Sequence, residues 1–384
     1  MRKQTGRSNP QHRYGNVYIR LLYKIRDKGV EFMNRNLKNR LSVSVALVLM
    51  LLSAGCSWTG EKQNGEFSNT PKGNFMALWT IMDEHYCYFD LKRDELGVNW
   101  DSVKVKYAKS ISDDMSDRSL FEVLCSMIGE LRDGHVNLTS PYDYGRNWSW
   151  QYDYPDNFSK DIQKKYLGTD YIIAGNGYSY RILDNNIGYL VVESFENSTS
   201  SGRMNVMFNN MALCNGLIID IRGNGGGSLM ASEFLASHFT EKKVTVGYCC
   251  YKTGPGHNDF SDLYKNELSP AEKDLRWIKP VVVLTNRGCF SSANDFAFTM
   301  KALENVTLMG DTTGGGGGMP MSSELPNGWV VRFSSAPSFD ADMNHVEFGV
   351  APDIRVDMKD EDIQAGIDTY IESACQYIND KLVN

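Results

Sequence analysis

Two adjacent serines, Ser291 and Ser292, stand where the apolar run "PVVVL" (residues 280–284) gives way, through "TNRGCF", to the helical pattern "SANDFAFTMKALEN". A hydroxyl at a strand-to-helix junction sits beside free N–H groups and the positive end of the helix dipole. It can cap the helix, for which serine is well suited, or it can be a nucleophile. A serine nucleophile needs a base, usually histidine, and a pair of donors for the oxyanion that forms. Two further stretches carry those residue types. "LRDGHVNL" (131–138) places His135 in a tight turn between a helix and a strand, where a side chain can reach a cleft. "DIRGNGGGS" (220–228) puts glycines after a strand and before a helix, where backbone N–H groups can approach a ligand with no Cβ in the way. Its spacing fits neither a dinucleotide fingerprint nor a phosphate loop, since Ser228 replaces the third glycine and the P-loop lysine is missing. An oxyanion site is the better reading. Each stretch also has a structural reading, as a cap, a core histidine or a plain turn.

The surrounding pattern says what must position these residues. Residues 74–130 have helical spacing, with Phe75, Leu78, Trp79 and Met82 on one face and Leu120, Val123, Leu124, Met127 and Ile128 on another. Residues 141–178 are aromatic and irregular. From 179 the pattern alternates: strands are expected at "NNIGYLVVESF", "NGLIIDIRG", "VTVGYCCY", "PVVVLTN", "VTLMGD" and "GWVVRFSS", and helices at "SLMASEFLASHF" and "SANDFAFTMKALEN". Unbroken apolar runs between helices imply an α/β core whose sheet is covered on both faces. A single amphipathic helix is expected over 360–382.

The N-terminus reads as an export signal. "LSVSVALVLMLLSAG" (41–55) is uncharged, follows a basic stretch and is shorter than the ~20 residues a spanning helix needs. "SAGC" resembles a bacterial lipobox ending at Cys56, which would carry the lipid, and Met33 is the expected start of translation. Residues 1–40 hold eleven Lys/Arg against two Asp/Glu, so the +9 of the leader conceals a charge near −16 in the rest of a chain whose total is −7. So acidic a body excludes a nucleic-acid surface. The expected organisation is a leader over 1–55, lipidated cysteine and tether over 56–73, a helical segment over 74–140, the aromatic segment over 141–178 and the α/β core over 179–384. Of eight cysteines, Cys87, Cys125, Cys214 and Cys375 have apolar surroundings, and no Cys-x-x-Cys spacing supports zinc. No metal or cofactor is expected.

"ELRDGHVNL", "IIDIRGNGGGS", "NRGCFSSANDF…VTLMGDTTGGGGG" and "EFGVAPDI" occur in that order, and together they resemble the S41 serine peptidases. That family includes C-terminal processing peptidases, the tricorn core peptidase and the retinoid-binding-protein repeats. The resemblance covers roughly residues 74–358. It implies a crotonase/ClpP-like core sheet with flanking helices, preceded by a small helical domain. It places the nucleophile at Ser291, with Ser292 as the alternative, and the oxyanion donors at the Ser292 amide and at Gly225 or Gly226. The lysine base of processing peptidases would fall at Gly316, so a Ser–Lys dyad is ruled out. The tricorn-like branch uses the histidine of "DGH" and a glutamate near "GVxPD", implying His135 as base and Glu347 as acid. The interval before the core is too short for a complete PDZ domain. The expected function is a lipid-anchored envelope serine endopeptidase acting on peptides or unfolded proteins, with the anchor in the outer membrane. Two alternatives remain: a non-catalytic lipoprotein that binds peptide, glycan or lipid in the same cleft, and a crotonase-like acyl-CoA enzyme, which export disfavours.

Overall fold

The computed structural model describes residues 67–145 and 148–383. Cys56, the leader and the tether up to residue 66 lie outside the described residues.

Four helices come first: α1 (Pro71–His85), α2 (Phe89–Leu96), α3 (Trp100–Ala108) and α4 (Asp117–Gly129). Their starts are written in the sequence. Thr70, Asn99 and Ser116 each accept a backbone N–H of the first turn of α1, α3 and α4, and Pro71 occupies a position where its missing donor costs nothing. Gly97, left-handed at φ 70°, ends α2. After α4 the chain passes through Asp133–His135 into β1 (Asn137–Thr139) and β2 (Tyr144–Gly145).

Within 148–178, where no period was legible, the chain forms α5 (Lys160–Leu167) and β3 (Ile172–Gly175) and enters β4 (Tyr178–Ile182). The core continues with β5 (Gly188–Val192), α6 (Ser201–Asn210), β6 (Leu217–Asp220), α7 (Leu229–Ala236), β7 (Val244–Cys249), β8 (Tyr264–Leu268) and β9 (Val281–Thr285). It closes with α8 (Ser292–Lys301), β10 (Val306–Gly310), β11 (Gly318–Glu324), β12 (Val330–Asp340), β13 (Ile354–Arg355), α9 (Asp360–Ala365) and α10 (Thr369–Val383). Every expected strand is present. The single helix expected over 360–382 is two helices. Gly366, left-handed at φ 71°, stops α9, and Asp368 accepts the Tyr370 and Ile371 N–H groups to start α10.

Two sheets share the work. The first has the order β13-β10-β9-β6-β5-β4-β3, parallel from β13 to β5 and antiparallel at the β4-β3 edge. Its central strands are buried on both faces, between α6, α7 and α8 on one side and α10 on the other. In parallel sheets the loops leaving the carboxyl ends of the strands collect at one rim, which is where sites form. Here those loops are 193–200, 221–228, 286–291 and 311–317. The second sheet, β2-β1-β12-β7-β8 with β11 on β12, was not anticipated. It is antiparallel throughout, and β1 joins it by pairing Asn137 with Arg332 and Leu138 with Val331. Phe75, Leu78, Ile81, Leu124 and Leu138 pack with Val331 and Phe333 in one core. The helical segment is thereby built into the same compact unit as the α/β core. Between β1 and β5 the described residues form β2, a short 3-10 turn, α5, β3 and β4.

Candidate active site

The loop after β9 delivers Ser291. Its backbone has φ 56° and ψ −121°, a conformation that costs a non-glycine residue on the order of 1–3 kcal/mol and persists only where neighbours impose it. They do: the Ser291 N–H donates to the Gly315 carbonyl (2.9 Å), and its carbonyl accepts the Asp295 N–H (2.9 Å). The strain turns the hydroxyl out of the capping position, and Ser291 makes no side-chain cap bond to α8. Its Oγ lies 3.0 Å from His135 Nε2. Ser292 is buried, and its hydroxyl donates to the Gly227 carbonyl at 2.7 Å. The two serines that looked alike in sequence have opposite surroundings.

His135 arrives from the other sheet. Asp133 Oδ1 accepts the His135 N–H (2.7 Å), which tightens the turn, and the imidazole packs on Phe290 with ring centroids 4.9 Å apart. Only 3% of the residue is exposed. Burial lowers the imidazole pKa to about 4, opposed first by the charge of Asp133, while Arg332 lowers it further and the Gly318 backbone raises it. The ring is therefore neutral at physiological pH, as a base must be. With the proton on Nδ1, Nε2 can accept the serine proton. Asp133 is also buried, and its Oδ2 accepts from Tyr86 Oη (3.0 Å) and Ser334 Oγ (2.8 Å). No sequence pattern singles out Asp133, although it stands in the same "DGH" turn.

Glu347, expected beside the imidazole, directs its carboxylate elsewhere. Oε1 accepts from Lys92 Nζ (2.7 Å) and Oε2 from the Gly317 N–H (3.1 Å). Among the described residues, Nδ1 of His135 has no partner at full hydrogen-bond geometry, and the group that supports the ring through a looser contact is the Gly318 backbone, not the Glu347 carboxylate. Burial and the neighbouring Asp133 push the Glu347 carboxyl up to about 8, against the pull of Lys92.

The glycine loop after β6 meets the serine turn closely. A Cβ on Gly226 would stand 2.6 Å from the Phe290 carbonyl and 2.9 Å from Ser291 Cβ, and its φ of 101° is itself a glycine conformation. The Gly226 N–H is committed to Asn224 Oδ1 (2.9 Å), and Asn224 Nδ2 donates to the Val192 carbonyl (2.9 Å). Gly225 has open space where a side chain would stand. Asn286 Oδ1 accepts from both Gly223 and Gly288, joining the two loops. Beneath them Arg222 is buried between Asp220 (2.7 Å) and Asp368 (2.9 Å), tying the glycine loop to the start of α10. The aromatic segment lies over this rim: Trp148 donates to the Gly134 carbonyl and packs on Phe290, and Tyr154 faces the Arg287 guanidinium at 3.8 Å.

Strand-end loops thus bring together a hydroxyl, a neutral imidazole and a glycine loop that opens onto space. That set can add a serine oxygen to a carbonyl carbon. Among the described residues no group of three or more His, Cys, Asp or Glu side chains is placed to hold a metal.

Comparison with known proteins points the same way. Residues 186–356 match the peptidase family S41, and residues 67–129 match the tricorn protease C1 domain. The crystal structure of a candidate peptidase from Parabacteroides merdae is 48% identical, with a TM-score of 0.77 over 81% of this chain and 97% of that one. Mature CPAF shares the fold at 13% identity, with a TM-score of 0.62 over 82% of this chain and 99% of that chain. The carboxy-terminal processing protease CtpA of Bacillus subtilis is 29% identical over 179 residues, 46% of this chain and 36% of that protein. The match thus spans about a third of the length of that curated relative.

Proposed function

Because this chain belongs to peptidase family S41, we propose that it is a serine peptidase that cleaves peptides or unfolded proteins through an acyl-enzyme on Ser291. The observation that carries the reading is the 3.0 Å approach of Ser291 Oγ to His135 Nε2, with the hydroxyl freed from capping by a strained backbone.

In the first half-reaction, Ser291 Oγ adds to the substrate carbonyl carbon as its proton passes to His135 Nε2. The oxyanion is met by the Ser292 N–H and by the Gly225 side of the glycine loop. Gly226 serves by its lack of a side chain, since its own N–H is held by Asn224. The C–N bond then breaks, and the imidazolium returns its proton to the leaving amine. In the second half-reaction a water loses a proton to Nε2 and adds to the ester carbonyl, and the C–O bond to Ser291 breaks with return of that proton. The imidazolium forms twice. Of the two buried carboxyls nearby, Asp133 is the one whose charge raises the imidazole pKa, and we assign it the electrostatic support.

We assign the base role to His135 and to no lysine: position 316, where the family resemblance would place one, is a glycine, and Ser291 Oγ bonds to His135 among the described residues. We propose attachment through Cys56 to the outer membrane of a bacterial envelope, on the leader sequence alone.

The test is cleavage of an unfolded protein and a mixed peptide library by the wild type, Ser291→Ala, Ser292→Ala and His135→Ala. Cleavage by the wild type and Ser292→Ala only is expected. A wild type that retains peptide without cutting it would instead make this a binding protein.

A further inference from the structure

Lys92 is the least expected residue of the core. In sequence it belongs to "FDLKRDEL", a charged helix in which a lysine normally faces water. In the structure it is 0% exposed, and its ammonium meets Glu347 Oε1 at 2.7 Å, the Arg132 carbonyl at 3.4 Å and the face of Phe348, 4.5 Å from the ring centroid. Burying an ammonium costs several kcal/mol unless its partners are well placed. A surface helix would gain nothing from that, so the partners need an explanation.

Glu347 supplies it. Besides Lys92, it holds two successive residues of the five-glycine segment 314–318: its Oε2 accepts the Gly317 N–H (3.1 Å), and its backbone carbonyl accepts the Gly316 N–H (3.0 Å). The segment can lie this close only as glycine. Gly315 and Gly316 both have φ 80°, and a Cβ on Gly315 would stand 1.9 Å from the Glu347 carbonyl oxygen. The Gly315 carbonyl in turn accepts the Ser291 N–H (2.9 Å), one of the two backbone bonds that impose the strained conformation on Ser291.

We propose that Lys92, reaching in from the helical segment, is a positioning residue for the nucleophile: it locks Glu347, which clamps the five-glycine segment against the Ser291 backbone. Glu347 then acts through hydrogen bonds to the glycine segment, and its charge is not required by the imidazole. The helical segment becomes a working part of the site through this one side chain. The inference rests on the reading of Ser291 as nucleophile.

Charge decides how the lock fails. The groups facing Glu347 are Lys92 from α2, Asp133 from the "DGH" turn, and Tyr86, Cys87 and Tyr88 from the link between α1 and α2. Lys92 is the one cation among them. Without it, Glu347 stays in place only while protonated. Once ionised beside Asp133 it is driven out, and the clamp opens.

The experiment follows the rate at which a fluorophosphonate labels Ser291 between pH 5 and 9.5, in wild type, Lys92→Met, Glu347→Gln and Lys92→Met/Glu347→Gln. Amide hydrogen exchange at Gly316, Gly317 and Ser291 is measured alongside. Lys92→Met should label close to the wild-type rate while Glu347 is protonated and fall at least tenfold at the alkaline end of the range, a fall that the wild type lacks. Its exchange should quicken at those three amides and not at Ile219 or Val283 in the sheet. The double variant keeps an amide oxygen for the Gly317 N–H with no buried charge, so it should lose the alkaline fall and label within about threefold of wild type. A loss in Lys92→Met that is uniform with pH and accompanied by faster exchange throughout would reduce Lys92 to a stability element and overturn the proposal. So would a double variant as slow as Glu347→Gln, which would return Glu347 to the role of charged acid. If the wild type itself is not labelled, the nucleophile reading fails, and the exchange data still decide the clamp.

Discussion

Ser291 Oγ and His135 Nε2 lie 3.0 Å apart across 156 residues of sequence, and each comes from a different sheet. The bond therefore depends on the packing of two sheets. Ser291 is fixed by the end of β9 and the five-glycine segment, and His135 by the turn before β1 and by the pairing of β1 with β12. The consequences can be tested separately.

Ser291 and Ser292 should part company on substitution. Ser291→Ala is expected to abolish turnover with little effect on stability. Ser292→Ala leaves the buried Gly227 carbonyl without its donor and should cost about 1–2 kcal/mol while most activity remains. Denaturant unfolding and steady-state kinetics on the same preparations check both.

The depressed pKa of His135 makes a statement about pH. Its folded value, about 4, lies below the ordinary 6.5, so the unfolded chain binds more protons in between. The neutral buried ring contributes stability that is fully present above pH 6.5 and lost as pH falls toward 4. Free-enzyme kcat/KM should accordingly stay level down to pH 5 and fall near pH 4. Unfolding curves of wild type and His135→Gln between pH 4 and 7 should converge as pH falls.

Asp295 predicts the opposite sign. Burial, with Glu233 nearby, raises its carboxyl to about 7. The folded protein holds that proton where the unfolded chain has released it, so stability falls as pH rises from about 4 to 7. Asp295→Asn should flatten this slope and be more stable than wild type at pH 8, as thermal melts across that range would reveal.

Arg222 is buried with Asp220 and Asp368 and faces the rings of Phe158 and Tyr370. Arg222→Met leaves two carboxylates buried without their cation and should cost roughly 3–5 kcal/mol. The midpoint of denaturant unfolding measures this, and a change under 1 kcal/mol would contradict the account.

Gly226→Ala should cut turnover at least tenfold, because its Cβ would meet the Phe290 carbonyl and Ser291 Cβ at sub-contact distances. A crystal structure of that variant should show the serine turn displaced.

The strands of the parallel sheet and the stretches around Ser291, His135 and Gly225 were legible because their signals are local: apolar runs, a helix start, tight turns. That β7 and β12, both expected as strands, leave the parallel sheet for a second one was not legible. The β11–β12 hairpin carries a turn signal in Asn327-Gly328, with Gly328 at φ 83°, but the β11 side is half polar and its pattern is weak. Which serine faces the imidazole could not come from propensity, since both residues suit a cap; the strained backbone at Ser291 and the Ser292 bond to the Gly227 carbonyl separate them. The surroundings of Glu347 were hidden for a different reason. Lys92 is 255 residues away in a helix that reads as solvated, and no local pattern marks a buried lysine. Asp133 was in plain view, and its role needed the positions of Tyr86 and Ser334 to be seen.

The most direct measurement is to expose the protein to a fluorophosphonate and map the adduct by peptide mass spectrometry. The account predicts one adduct, on Ser291, lost in His135→Ala. An adduct on Ser292, or an unmodified protein under conditions that label a known serine peptidase, would contradict it.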